Sequence, residues 1–441
     1  MRESRHRKGK KDKMAAVKID QCDLLVIGQG LAGLAAALFA SNRGVSTIQV
    51  GRTGGLVFSS GLMDLLGIHP VEEQRAWSNP WEGVKALCRD IPHHPYAYTT
   101  QARIRAAFDE IFVALEKEGL PYVRGQALNM DTPTPLGTVR SAYAMPWSMR
   151  AGVDALRRKA PCLVLDFEGL IDFSAQQIKA TMGQAWPALR AGRVPFPGAF
   201  SSSELVTGDV LAQQLESPKN RDLLVQAITP LLGHAEVLGM PAVLGLSRHH
   251  EVVQDLERRF DVPLFEIPTM PVSVPGLRLR DALTRAIQAN GGRQLAQHRV
   301  IEVRPVNDGT FRLGIGYRDV DQEVHARAVI LATGRFAGGG LRADRRGIRE
   351  TLFDLPVKQP ESRETWHGKV FLGVKGHPVN RAGLEVDNRF RPLNRHGGPA
   401  FRRLFAAGSI LAHQDWVRMK CGAGVALASA YAAVRHALSE A

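Results

Sequence analysis

Residues Leu24 to Leu38 carry three glycines at a spacing that can hold a phosphate. Leu24-Leu25-Val26-Ile27 is a short apolar run. Gly28-Gln29-Gly30-Leu31-Ala32-Gly33 follows as G-x-G-x-x-G, and an alanine-rich stretch continues it. A strand, a turn and a helix in that order present free N–H groups and the positive end of a helix to an anion. Gly28 permits the tight turn, Gly30 lets the backbone approach a phosphate, and Gly33 lets helix and strand pack closely. A nucleotide held in this way points to redox chemistry. Two more apolar runs end in small-residue turns. Ala328-Val329-Ile330-Leu331-Ala332-Thr333 runs into Gly334, and Leu404-Phe405-Ala406-Ala407 runs into Gly408 and Ser409. Cys421-Gly422-Ala423-Gly424 then opens a final alanine-rich stretch.

The elements that must position these turns read as alternating strands and helices, which predicts a parallel sheet. The first unit, residues 18–67, is a strand, the glycine turn, a helix, a second strand at Thr47 to Val50 and a Gly/Ser-rich loop. Residues 68–269 form an inserted α/β domain. Its expected elements are helices over Ala102 to Glu118, Asp172 to Trp186 and Glu251 to Phe260, with strands over Cys162 to Leu165 and within Val237 to Leu244. The stretch Ala191 to Ser203, with its prolines and serines, reads as a mobile or lid-like loop. Residues 270–441 return to the first pattern, with a helix over Arg280 to Asn290 and strands at Val300 to Val303 and Phe311 to Ile315. The expected fold is therefore α/β, a two-part Rossmann-like nucleotide-binding domain with an inserted α/β domain.

Composition agrees with a globular protein. The chain has 441 residues, 23% charged and 44% apolar, enough for two or three domains. Cys22, Cys88, Cys162 and Cys421 lie far apart and form no C-x-x-C pair. That spacing predicts a reduced, cytoplasmic protein with no metal site and no iron–sulfur cluster of its own. The formal net charge is +14, and Met1 to Lys13 contributes seven basic and two acidic residues to it. Residues 1–17 read as a disordered basic tail, with Met14 as an alternative start. No aromatic stacking pattern accompanies the tail, so no nucleic acid is expected as a partner. The remaining positive charge suits a phosphorylated substrate.

The order of the three glycine turns resembles the flavin-binding domain of the fumarate reductase and glycerol-3-phosphate dehydrogenase flavoproteins. A longer ordered set sharpens this: Phe58-Ser59-Ser60-Gly61-Leu62-Met63-Asp64, His94-Pro95-Tyr96, Thr134 to Ser141, Gly169 to Phe173, Met240-Pro241-Ala242, Pro268 to Val274, Gly276 to Leu279, Gly338 to Leu341, Gly347 to Glu350 and Cys421 to Val425. Together they resemble the B-subunit family of anaerobic, respiratory glycerol-3-phosphate dehydrogenase, over essentially the whole chain after Met14. The resemblance implies a flavoprotein that works with two others: an FAD-containing A subunit, and a C subunit that holds iron–sulfur clusters and anchors the assembly to the membrane. It implies oxidation of sn-glycerol 3-phosphate to dihydroxyacetone phosphate. Electrons then pass to menaquinone, with fumarate or nitrate as terminal acceptors, at the inner face of the cell membrane. Two alternatives stay open: a stand-alone FAD-dependent oxidoreductase of the fumarate-reductase type, and a flavin-free assembly module.

The resemblance also nominates site residues. Ser59, Ser60 and Gly61 lie in a loop that runs beside the flavin in related proteins, and Gly334, Gly408 and Ser409 have the same status. Gly422 and Gly424 open a helix whose positive end would stabilise reduced flavin. The usual carboxylate for adenosine ribose is missing after the second strand, which ends Gln49-Val50-Gly51-Arg52. Either Gln49, a backbone group or a water does the carboxylate's work, or no adenosine is bound; the departure favours FMN over FAD, with Arg52 placed to meet a phosphate. Alcohol oxidation needs a base, and a substrate phosphate needs cations. By residue type His93, His94, Arg140, His234, Arg278, Arg349 and His377 qualify, with Arg140 and Arg349 the first to test. Cys421 reads as a buried, inert thiol.

Overall fold

The computed structural model describes residues 18–196 and 205–440. The basic tail, with Met14, lies outside the described residues, as does the second half of the expected 191–203 loop. The chain begins with β1 (Lys18–Ile27), α1 (Leu31–Ser41) and β2 (Thr47–Gly51). Helix α1 is buried along nearly its whole length, because Ala35, Ala36, Ala37 and Ala40 leave no side chain that needs water. Next come α2 (Pro80–Asp90) and α3 (Gln101–Lys117). Each starts at a side-chain cap: Asn79 accepts from the Trp81 and Glu82 N–H groups, and Thr100 from that of Arg103. Two antiparallel pairs follow, built from β3 (Tyr122–Arg124), β4 (Met130–Pro133), β5 (Val139–Ala142) and β6 (Ala144–Pro146), with β3 on β6 and β4 on β5.

A second layered unit runs through α4 (Arg150–Arg158), β7 (Cys162–Phe167), α5 (Ala175–Met182), β8 (Leu189–Val194), α6 (Gly208–Gln214), α7 (Pro218–Leu232), β9 (Val237–Pro241), α8 (His249–Phe260) and β10 (Leu264–Ile267). Its four strands pair in the order β10-β9-β7-β8, all parallel. Strand β7 is buried at every position, as a central parallel strand covered on both faces must be. Helix α5 is shorter than the 172–186 expectation, because Ser174 caps its start through the Gln177 N–H and the helix stops at Gly183. The first part of the expected 191–203 loop is the end of strand β8.

The last third adds α9 (Val274–Ala289), β11 (Arg293–Ala296), β12 (Arg299–Pro305), β13 (Phe311–Gly316), β14 (Gln322–Leu331), β15 (Leu341–Asp344), β16 (Gly347–Glu350), β17 (Leu404–Ala406), α10 (Trp416–Met419) and α11 (Gly422–Ser439). Helix α9 starts earlier than position 280, because Ser273 caps it and Pro275 fits its first turn. The main sheet runs β11-β2-β1-β14-β13-β12, with β17 also on β14. Strands β11, β2, β1, β14 and β17 are parallel. Strand β14 serves two neighbours along one edge: residues 322–326 pair with antiparallel β13, and 329–331 with β17. Two cores result. The first joins β1, α1, α3, β14 and α11; the second runs from Ala155 to Val274. Helices α2 and α3 precede the second core in sequence but bury their apolar faces in the first. No described helix is long and apolar enough to cross a membrane.

Candidate functional site

The strand ends carry the turns to one edge of the main sheet. Gly28, at the end of β1, has φ +129°, and a Cβ there would strike the Ala332 carbonyl at the end of β14. A Cβ on Gly33 would fall on the Gly28 carbonyl, so this glycine sets the approach of α1 to the strand below it. Gly30 caps α1 without a side-chain bond, and nothing lies within 4 Å of a Cβ built on it. The first turn of α1 therefore faces open space with free N–H donors.

The later turns close on this one. Gly334 takes φ +68°, and a Cβ on it would sit 3.5 Å from the Ser409 hydroxyl. Gly408 takes φ +79°, and a Cβ on it would press to 2.6 Å from the Ala32 methyl. The Gly408 N–H donates to Ser429 Oγ at 2.8 Å. The Ser59–Gly61 loop is clamped by the start of α9. The Ser273 hydroxyl donates to the Ser59 carbonyl, the Ser273 N–H to the Val57 carbonyl at 3.0 Å, and Tyr122 Oη to the Gly61 carbonyl at 2.9 Å.

Gly422 and Gly424 begin α11, but the Gly424 N–H is already taken, donating to the Asp64 carbonyl at 2.8 Å. A Cβ on Gly424 would fall on the Tyr96 hydroxyl, so close packing accounts for this glycine.

The second strand answers the question raised by its missing carboxylate. Gln49 is fully buried, donates from Nε2 to the Gly28 carbonyl at 2.8 Å and accepts from Gln294 Nε2 at 2.6 Å. It braces the glycine turn from below, with both ends of its amide engaged by the protein. Gly51 stands at the strand end, and Arg52 after it is exposed.

The polar side chains sort clearly. Arg140 pairs with Asp64, Nη2 to Oδ2 at 2.5 Å. Arg349 lies exposed on the β15–β16 hairpin and pairs with Asp344. Arg278 is buried against Glu266, with Nη1 to Oε2 at 2.7 Å and Nη2 to Oε1 at 3.0 Å, where α9 meets the second core. His93 is exposed beside Tyr98, His234 is exposed, and His377 accepts from the Gly368 N–H in an exposed loop. His94 is fully buried and accepts from the Tyr96 N–H; burial pushes its pKa down to about 3. These histidines thus have structural partners or lie on the surface, and the described residues contain no metal-binding cluster. Burial raises the Cys421 thiol far above its ordinary value, which makes it a poor nucleophile.

Two contributors carry no mark in the sequence beyond their neighbours. Arg335 follows Gly334 and is half-buried. It donates to the carbonyls of Ser409 at 2.6 Å, Leu411 at 3.1 Å, Gln414 at 2.9 Å and Asn380, so one guanidinium organises the whole turn after β17. Desolvation lowers its pKa to about 10, so it stays charged at neutral pH. Asp64 stands three residues after Gly61, and only the fold brings Arg140 to it.

Some of the buried polar atoms without a partner among the described residues lie along these turns, namely Ser59 Oγ, Asp64 Oδ1, Thr333 Oγ1 and Gln414 Oε1, while others, such as Thr132 Oγ1 and Tyr143 Oη, lie elsewhere in the fold. Orphaned atoms of this kind call for a bound polar group. Together with the open face at Gly30, they fit a nucleotide whose polar ring system reaches from α1 to the Ser59 loop.

The family model described as FAD binding domain matches residues 23–425. The B subunit of anaerobic glycerol-3-phosphate dehydrogenase from Pectobacterium carotovorum subsp. carotovorum (strain PC1) is 30% identical over 432 residues, covering 95% of this chain and 99% of its own. The protein of the same name from Vibrio vulnificus (strain YJ016) is 29% identical over 429 residues, covering 94% and 96%. Among solved structures, 3-ketosteroid delta1-dehydrogenase from Sterolibacterium denitrificans aligns with a TM-score of 0.43 at 12% identity, over 96% of this chain and 100% of its own. The matching family model is one for FAD, so FMN as the principal flavin finds no support in it.

Proposed function

The chain belongs to the B-subunit family of anaerobic glycerol-3-phosphate dehydrogenase, within the flavoproteins of the FAD binding domain, and from this we propose that it is the flavin-carrying subunit of such a dehydrogenase. It is a flavin-dependent oxidoreductase, and FAD is the flavin we assign. The observation that carries the reading is the meeting of Gly28, Gly334 and Gly408 at the start of α1, beside Thr333, whose hydroxyl, like that of Ser59, has no partner among the described residues. Gly30 and the N–H groups of α1 would hold the diphosphate. The Ser59–Gly61 loop and the Gly334 and Gly408 turns would line the ring. The ribose, with no carboxylate available, falls to the backbone at Gly51 and to Arg52. A bound flavin would supply the acceptor for an electron pair that originates in the oxidation of sn-glycerol 3-phosphate.

The chain's own residues exclude water and orient the ring. Apolar Leu56, Val57, Leu411 and Met419 are buried near these turns, and the Arg335 guanidinium fixes the carbonyls beyond Gly408. We place the chain beside two partners. One is an FAD-containing A subunit; the other is an iron–sulfur C subunit, which carries the assembly to the membrane and passes electrons to quinone. The poor supply of bases among the histidines supports an electron-relay role for this chain, with alcohol oxidation on the FAD-containing partner. The test is to release the flavin by heat, identify it by mass, and follow flavin bleaching by glycerol 3-phosphate with and without the partners. FAD that bleaches only in the complex is expected. Bleaching in the isolated chain would overturn the relay, and a colourless chain that takes up neither FAD nor FMN would overturn the flavin reading.

A further inference from the structure

Asp64 is a carboxylate that the fold has removed from water without fully satisfying it. Its side chain is 12% exposed, Oδ2 accepts from Arg140, and Oδ1 has no partner among the described residues. The backbone around it is pinned on every side. Met63 and Ala144 exchange N–H···O bonds at 2.8 and 3.0 Å, the Gly424 N–H donates to the Asp64 carbonyl, and Tyr96 Oη donates to the Leu65 carbonyl at 2.6 Å. Such a position costs stability, because a charge withdrawn from water with a free lone pair is expensive. Groups of this kind concentrate where charge is moved.

The groups facing it come from three other elements. Arg140 reaches in from β5, Lys420 and Cys421 stand immediately before α11, and Tyr96 lies in the short turn Pro95–Tyr98. Burial lifts both the Tyr96 hydroxyl and the Cys421 thiol far above their ordinary values, so both stay neutral. Burial likewise raises Asp64 above the ordinary carboxylate range, while Arg140 and Lys420 pull it back. The cluster therefore holds two cations and one carboxyl that can change its charge.

We propose that Asp64 is the proton-exchanging group of the flavin site, with Arg140 its positioning residue and Lys420 a second cation that tunes it. The inference rests on the flavin reading above. An electron pair delivered to a ring lined by the Ser59–Gly61 loop would add negative charge at the loop that leads, three residues on, to Asp64. The carboxylate responds by taking one proton from solvent, and a new O–H bond forms at Oδ1. That oxygen has no hydrogen bond to give up, and the Arg140 contact at Oδ2 survives the change. When the electron pair leaves toward the next acceptor, the O–H bond breaks and the proton returns to water. No bond to the flavin is made or broken by Asp64; the flavin is the electron acceptor and the carboxyl balances its charge. A neutral amide at this position cannot do so.

The test uses the full chain with its flavin bound, titrated spectroelectrochemically over a range of pH. Wild type should take up one more proton per electron pair than Asp64→Asn, read as a shallower dependence of midpoint potential on pH in the variant. Arg140→Gln and Lys420→Gln should keep the steeper dependence but shift its inflection to higher pH, because losing a cation strengthens proton binding. Flavin content and melting temperature, read alongside, separate this from a structural defect. If Asp64→Asn binds flavin and keeps the wild-type slope, the proposal fails. If that variant does not fold, unmoved inflections in both cation variants overturn it instead. A chain that binds no flavin would fail the flavin reading; Asp64 is then read by infrared spectroscopy. A carboxyl band that titrates above the ordinary carboxylate range and is absent from Asp64→Asn is expected, and its absence overturns the assignment.

Discussion

At the scale of single residues, the three glycines of the first turn do different work. Gly28 and Gly33 are required by the protein itself, since a side chain at either would strike a backbone carbonyl. Gly30 meets nothing within 4 Å, so the fold alone does not require it. Gly30→Val is therefore expected to fold with a melting temperature within a few degrees of wild type and to lose bound flavin. Gly33→Ala is expected to lower the melting temperature sharply, because helix and strand must separate. Thermal melts and flavin absorbance on the two variants check this directly. These glycines were legible in the sequence because their spacing is local. Asp64 was not: its partner Arg140 lies 76 residues away, and contacts such as the Met63–Ala144 bridge bring them together. Gln49 shows the converse. Its place suggested a stand-in for a ribose ligand, yet both ends of its amide are spent on the protein.

At the scale of elements, the start of α9 ties the two cores to the site. Ser273 caps the helix through the Gly276 N–H and also donates to the Ser59 carbonyl. Ser273→Ala should lose a cap worth about 1 kcal/mol and loosen the Ser59 loop. A modest fall in stability with a larger fall in flavin retention is expected, measured by melting and by flavin loss on dilution. One turn further on, Arg278 pairs with Glu266 in full burial, with Ser148 Oγ donating to the same carboxylate at 2.8 Å. Removing one partner strands the other charge, so Arg278→Ala should cost on the order of 3–5 kcal/mol in denaturant unfolding. Arg278 looked like a phosphate ligand by residue type; its role is to join α9 to β10. Strand and helix identities were largely legible from periodicity. Their ends were not, because caps such as Ser174 and Ser273 act through geometry that composition does not reveal.

At the scale of the whole molecule, two buried histidines make stability depend on pH. His94 and His249 stay neutral in the folded protein, with pKa values pushed down by burial to about 3 and about 4 from an ordinary 6.5. Below 6.5 the unfolded chain takes up protons that the folded chain refuses. Stability should therefore fall as pH drops from 6.5 toward 4 and below, by roughly 1 kcal/mol per pH unit for each histidine. His94→Asn, which can still accept from the Tyr96 N–H, should flatten that slope in melting curves recorded across the acid range. The two-part architecture was legible because glycine turns recur at both ends of the chain. The antiparallel addition of β12 and β13 was not, since a single strand pattern does not reveal its partner.

The pairing of β1 with β14 has a consequence for how the protein is made. Lys18 to Ile27 lies beside Gln322 to Leu331, so the first strand synthesised gains that neighbour only after some three hundred further residues have left the ribosome. The second core is contiguous in sequence and can close on its own in the meantime. Until then the edge of β1 that β14 pairs with stays open, while its other edge already has β2. Slower translation across the middle of the chain would lengthen its exposure, and a chaperone that shields it would raise the yield of the mature protein.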